Sequence, residues 1–154
     1  MKRVFEWVAL GLIFCAVFTV AVPGARSGER QPYDCRASET IVINLTTGQA
    51  VYSGSGVASH VGHFENEATG QVEPTTMSFQ AAGTLTAADG DQIYWTASGV
   101  LGGDMLIVLD NGTGRFLNVS GELSSWETTN LVTKQENGFL TLTYDSAATG
   151  WISY

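Results

Sequence analysis

From Glu39 to the end of the chain, apolar and polar residues alternate, and no stretch there keeps helical i, i+3, i+4 spacing for three turns. Alternation puts successive side chains on opposite faces of an extended strand. Glu39–Thr46 carries Ile41, Ile43 and Leu45 on one such face. Ala50–Phe64 then reads as a single long strand, with Tyr52, Gly54, Gly56, Ala58, His60, Gly62 and Phe64 sharing a face. Fully extended, such a segment would run to roughly 50 Å, far more than an ordinary strand. Gly54, Gly56 and Gly62 therefore mark places where it bends or coils.

Glu65–Pro74 is polar and reads as a loop. Thr75–Ala87, Gln92–Val100, Met105–Leu109, Arg115–Leu123, Trp126–Lys134, Phe139–Tyr144 and the terminal Trp151–Tyr154 follow as further strands. Asp89-Gly90, Gly102-Gly103, Asp110 to Gly114 and Asn137-Gly138 separate several of them with hairpin-turn chemistry. The expectation is an all-β domain of about eight antiparallel strands closed into a barrel, because closure removes exposed edges. A barrel of about that size holds either packed side chains or one small ligand.

Composition agrees with a turn-rich β protein: 14 % of residues are charged and 18 are glycine. The net charge of −8 leaves only Arg115 and Lys134 as basic residues beyond Arg36. Two cations build no basic groove, so neither nucleic acid nor an anionic membrane surface is an expected partner.

The N-terminus differs. Met1-Lys2-Arg3 precedes Val8 to Val22, an uncharged and mostly apolar run. As a helix it would cover about 22 Å, short of the roughly 30 Å hydrocarbon core, so a secretory h-region fits better than a membrane span. This divides the chain into a signal peptide (1–25), a flexible polar leader (26–38) and a single barrel domain (39–154), secreted or periplasmic. An uncleaved anchor starting at Phe5 is the alternative. After cleavage Cys35 is the only thiol, which excludes an intramolecular disulfide.

Candidate chemistry is sparse. His60, His63 and Glu65 look like metal ligands, but residues 60 and 63 of a regular strand point to opposite faces, and there is no third histidine. No G-x-S-x-G elbow and no phosphate-loop Lys-Ser/Thr pair occurs. Neither a metal nor another cofactor is expected. Arg115 bridges a carboxylate or caps carbonyls, or else anchors an anionic ligand head at the barrel mouth. Tyr52, Phe64, Tyr94 and Trp95 fill the core or line an apolar pocket, and His60 is the candidate to face a cavity.

Three segments and the C-terminus carry a resemblance. Ser59-His60-Val61-Gly62, Ala88-Asp89-Gly90-Asp91, and Gly112-Thr113-Gly114-Arg115-Phe116 followed by Gly121 occur in that order, with Gly150-Trp151-Ile152-Ser153-Tyr154 at the end. Over Gly54 to Tyr154 the chain resembles the allene oxide cyclase and dirigent-like β-barrels, most closely their small secreted bacterial members. The resemblance implies an eight-stranded antiparallel barrel with a central cavity, in a group whose members often associate as oligomers. Plant cyclases of that group convert a fatty-acid epoxide, and dirigent proteins guide the radical coupling of phenols. No catalytic residue of the cyclases maps onto this chain.

Three readings follow: a binder of one small apolar or phenolic molecule, an isomerase- or cyclase-like enzyme using His60 or an acid, and a structural or interaction protein with a filled interior. The first is favoured. An inward His60 beside an acid is the mark of the second.

Overall fold

A computed structural model describes residues 28–103 and 105–154, with the backbone alone for Ser125 and Trp126; the expected signal segment lies outside the described residues. Eight strands follow one another in chain order: β1 Gln31–Asn44, β2 Gln49–Ala58, β3 Gly62–Val72, β4 Ser78–Ala87, β5 Gln92–Val100, β6 Met105–Gly112, β7 Ser120–Glu136 and β8 Phe139–Ser153. Each pairs antiparallel with its neighbour, and β8 returns to β1, so the sheet closes into a barrel. A single 3-10 turn, Gly114–Phe116, stands between β6 and β7.

Period-two alternation sets the inner face. β1 turns Tyr33, Ala37, Ile41 and Ile43 inward, and β3 does the same with Phe64, Asn66 and Ala68. At one end Tyr33, Ile93, Phe116 and Ile152 are wholly excluded from solvent and plug the barrel. The other end, which carries the 45–48, 73–77 and 137–138 turns, holds buried Ile43 and Val72 beneath half-buried Met77, Leu101, Met105, Leu140 and Leu142.

Four expectations change. Residues 50–64 are not one bent strand but two strands of a hairpin, reversing at Ser59–Val61, where His60 has φ 67° and Gly62 φ 81°. Gly54 and Gly56 instead sit inside β2, where an added Cβ on Gly56 would meet the Arg36 carbonyl oxygen at 2.1 Å and Phe64 Cζ at 2.8 Å. They let neighbouring strands coil tightly, and they do not reverse the chain.

Residues 65–72, expected as loop, continue β3; the inward Asn66 and the glycine at 70 hid the alternation. Most of the polar leader is β1, paired with β8 from Gln31 onward and with β2 from Cys35 onward. Finally, Arg115–Leu123 is not a strand throughout. The 3-10 turn takes its first residues, and β7 then absorbs the expected Trp126–Lys134 strand as β8 absorbs the terminal one.

Candidate functional site

All eight strands contribute side chains to a cavity of about 60 Å³ in the middle of the barrel. Phe64, Phe79, Leu85, Trp95, Leu109 and Leu123 form its apolar wall. Beside them stands a polar corner of Glu39, Tyr52, Asn66, Tyr144 and Ser146.

The corner is ordered by a chain of hydrogen bonds. Trp95 Nε1 donates to Asn66 Oδ1 at 3.0 Å, and Asn66 Nδ2 donates to Glu39 Oε1 at 2.9 Å. An indole N–H can only donate, so it fixes which end of the Asn66 amide faces Trp95 and turns the amide nitrogen toward the carboxyl. Ser146 Oγ donates to Glu39 Oε2 at 3.3 Å, and the Tyr144 hydroxyl also hydrogen-bonds that carboxyl. Asn66 and Ser146 are both buried, as polar groups tolerate only when partnered.

Burial governs the protonation of every acid in the corner. It pushes the Glu39 carboxyl above the usual carboxylate range, against the hydrogen bonds from Asn66, Tyr144 and Ser146, which favour the charged form. Burial, and then the Glu39 charge, pushes Tyr52 up to about 12. Cys35 in the same wall is pushed up to about 12 for the same two reasons, which makes it an inert thiol. Tyr144 is raised as well, by burial first and then by Glu39. The interior thus favours neutral groups throughout.

The residues singled out from the sequence divide into two sets. Tyr52, Phe64 and Trp95 meet in the cavity wall. Tyr94 stands on the outer face, because it alternates between inward Ile93 and Trp95, and it is 39 % exposed. His60 lies in the β2–β3 turn, outside the cavity; its Nε2 faces the Pro32 carbonyl oxygen at 3.1 Å and its Nδ1 the Tyr154 hydroxyl at 3.4 Å. The enzyme reading that needs an inward His60 has no support from this placement. Among the described residues no three His, Cys, Asp or Glu side chains converge as a metal site would require.

Arg115 is also away from the cavity. Its Nε lies 3.2 Å from Asp89 and 3.9 Å from Asp91, while Nη1 and Nη2 donate to the carbonyl oxygens of His60 and Val61 at 3.3 and 2.9 Å. It clasps the β2–β3 turn, the β4–β5 turn and the 3-10 turn together. Arg115→Ala is expected to lower stability by about 1–2 kcal/mol, since hydrogen bonds to charged donors count but exposed ion pairs count little. Arg115→Lys should restore under half of that, an ammonium being unable to span carboxylates and carbonyls at once. Denaturant midpoints of the two variants check both statements.

Glu39, Asn66 and Tyr144 were not singled out from the sequence. The available signal was an acid sharing the inward alternation with Ala37, Ile41 and Ile43, and an asparagine sharing it with Phe64 and Ala68.

Compared with protein-family models, curated proteins and solved structures, the chain matches none.

Proposed function

We propose that this barrel is a secreted binding protein for one small apolar or phenolic molecule held in its interior. The observation that carries the reading is the shape and chemistry of the cavity: apolar walls around a single polar corner. Size sharpens it. At 10–15 Å³ of such space per water and ~30 Å³ of liquid per water, about 60 Å³ corresponds to roughly 120–180 Å³ of guest, the volume range of one benzene-like ring. A long acyl chain does not fit inside, and a single ring does. The resemblance to allene oxide cyclase and dirigent-like barrels supports the same use of a barrel interior, and the apolar N-terminal segment supports export.

A second reading, an isomerase- or cyclase-like enzyme, is favoured by one observation: a carboxyl of raised pKa, Glu39, faces the cavity. Such a group takes a proton from one carbon of a guest and returns it to another, with no cofactor.

Native mass spectrometry of the protein purified from its own source tests both. The expected spectrum contains a non-covalent adduct of single-ring size, and the released molecule comes back unchanged after incubation with fresh protein. Conversion to an isomer, lost in Glu39→Gln, would move the assignment to the enzyme. Protein that is empty in repeated preparations and takes up no added ring would overturn ligand binding altogether.

A further inference from the structure

The Tyr52 hydroxyl is the one polar group of the cavity corner left without a partner. Tyr52 is 8 % exposed and lines the cavity, yet its hydroxyl makes no hydrogen bond in the protein. The neighbouring groups are committed to one another: Asn66 to Trp95 and Glu39, and Ser146 and Tyr144 to Glu39. A buried hydroxyl with no partner is uncommon, and in a cavity wall it points to something that arrives. Tyr33 has a second unpartnered hydroxyl, but it sits in the plug and is not part of the cavity wall.

Charge narrows the guest further. Among the described residues no lysine, arginine or histidine lines the cavity, and the ionisable groups beside Tyr52, Glu39 and Tyr144, are both acids. An anionic guest would enter an apolar space with no counter-charge and a carboxyl close by, which is unfavourable in either protonation state of Glu39. We propose that the cavity selects an uncharged ring bearing one hydroxyl or carbonyl oxygen, which accepts a hydrogen bond from Tyr52, and rejects carboxylates of the same size. This rests on the ligand-binding reading and names the class of guest.

The test uses toluene, phenol and benzoate as probes, titrated into wild-type protein and Tyr52→Phe and followed by NMR shifts of cavity-wall amides. Phenol and toluene have nearly the same shape and differ by the hydroxyl. Wild type is expected to prefer phenol by about tenfold, the worth of one good hydrogen bond in a dry site. Tyr52→Phe should bind toluene as well as wild type does and bring the phenol preference close to one. Benzoate should produce no shifts in either protein.

If neither toluene nor phenol binds, the ligand-binding reading itself falls. If both bind with equal affinity, or Tyr52→Phe keeps the preference, the role of Tyr52 is overturned while the cavity remains a binding site. Benzoate binding as well as phenol would overturn the selection against charge. Tyr52→Phe should also melt no lower than wild type, because it removes a hydroxyl that has no partner; a clearly lower melting temperature would show that the hydroxyl was already engaged.

Discussion

Replacing Phe116 with alanine is expected to remove about 3–5 kcal/mol of stability, the range for deleting a fully buried aromatic ring. Phe116 ends the short 3-10 turn after β6 and is completely excluded from solvent. Its ring lies edge-on to Tyr154, with centroids 5.9 Å apart at 77°, and the Arg115 guanidinium sits 4.5 Å from its centroid. Gly112 makes room for it: an added Cβ there would come within 2.9 Å of Phe116 Cβ. The surrounding plug residues belong to strands held by the barrel's hydrogen-bond ladder, so they collapse poorly into the space left behind. Against a typical total of about 5–15 kcal/mol, such a loss is a large fraction. Guanidinium unfolding of wild type and variant measures it. A loss below about 1 kcal/mol would mean that this end of the barrel repacks freely and is no rigid plug.

The second large effect is a change in how stability depends on pH. Glu39 has its folded-state pKa raised from 4.5, with burial as the leading cause. Between the unfolded and folded values the native state therefore binds more protons than the unfolded chain. By linkage, stability from this group is fully present below about 4.5 and is lost as pH rises through the folded value. Glu39→Gln keeps an acceptor for Asn66 and cannot ionise, so it lacks this slope. The expected result is a difference between variant and wild-type stability that grows in favour of glutamine from about pH 4.5 upward and then levels off. Denaturation midpoints at a series of pH values give the curve. A difference that stays constant across the series would show that Glu39 ionises as freely in the barrel as in the unfolded chain.

Much of the barrel was legible because its strands are built on strict alternation. Gln92–Val100 was read with the bounds it has in the structure, since Ile93, Trp95 and Ala97 are apolar and their neighbours are not. Legibility failed where an inward position is polar or lacks a side chain. Asn66 and Gly70 broke the pattern of β3, so a strand looked like a loop and its hairpin partner looked too long. The same physics hid the polar corner of the cavity. Glu39 occupies an inward position in β1, but alternation alone treats an acid at such a place as the end of a strand. What makes it tolerable is Asn66 from β3 and Ser146 from β8, residues 27 and 107 positions away in sequence. Partners so distant leave no local trace. His60 failed for a different reason: parity along a continuous strand turned it inward, but the chain reverses at that residue, and parity does not survive a turn.

The seam between β1 and β8 bears on how the chain reaches this state. Gln31 aligns with Ile152 and Asn44 with Phe139, so the barrel is completed by joining its earliest described strand to its last. During synthesis β1 emerges before the other described strands and pairs with β2 early, while its other edge waits for β8. Joining ends so far apart is entropically costly and places this topology among slow, millisecond-to-second folders. Until that moment β1 keeps a row of unsatisfied amides and carbonyls open to any other extended chain nearby.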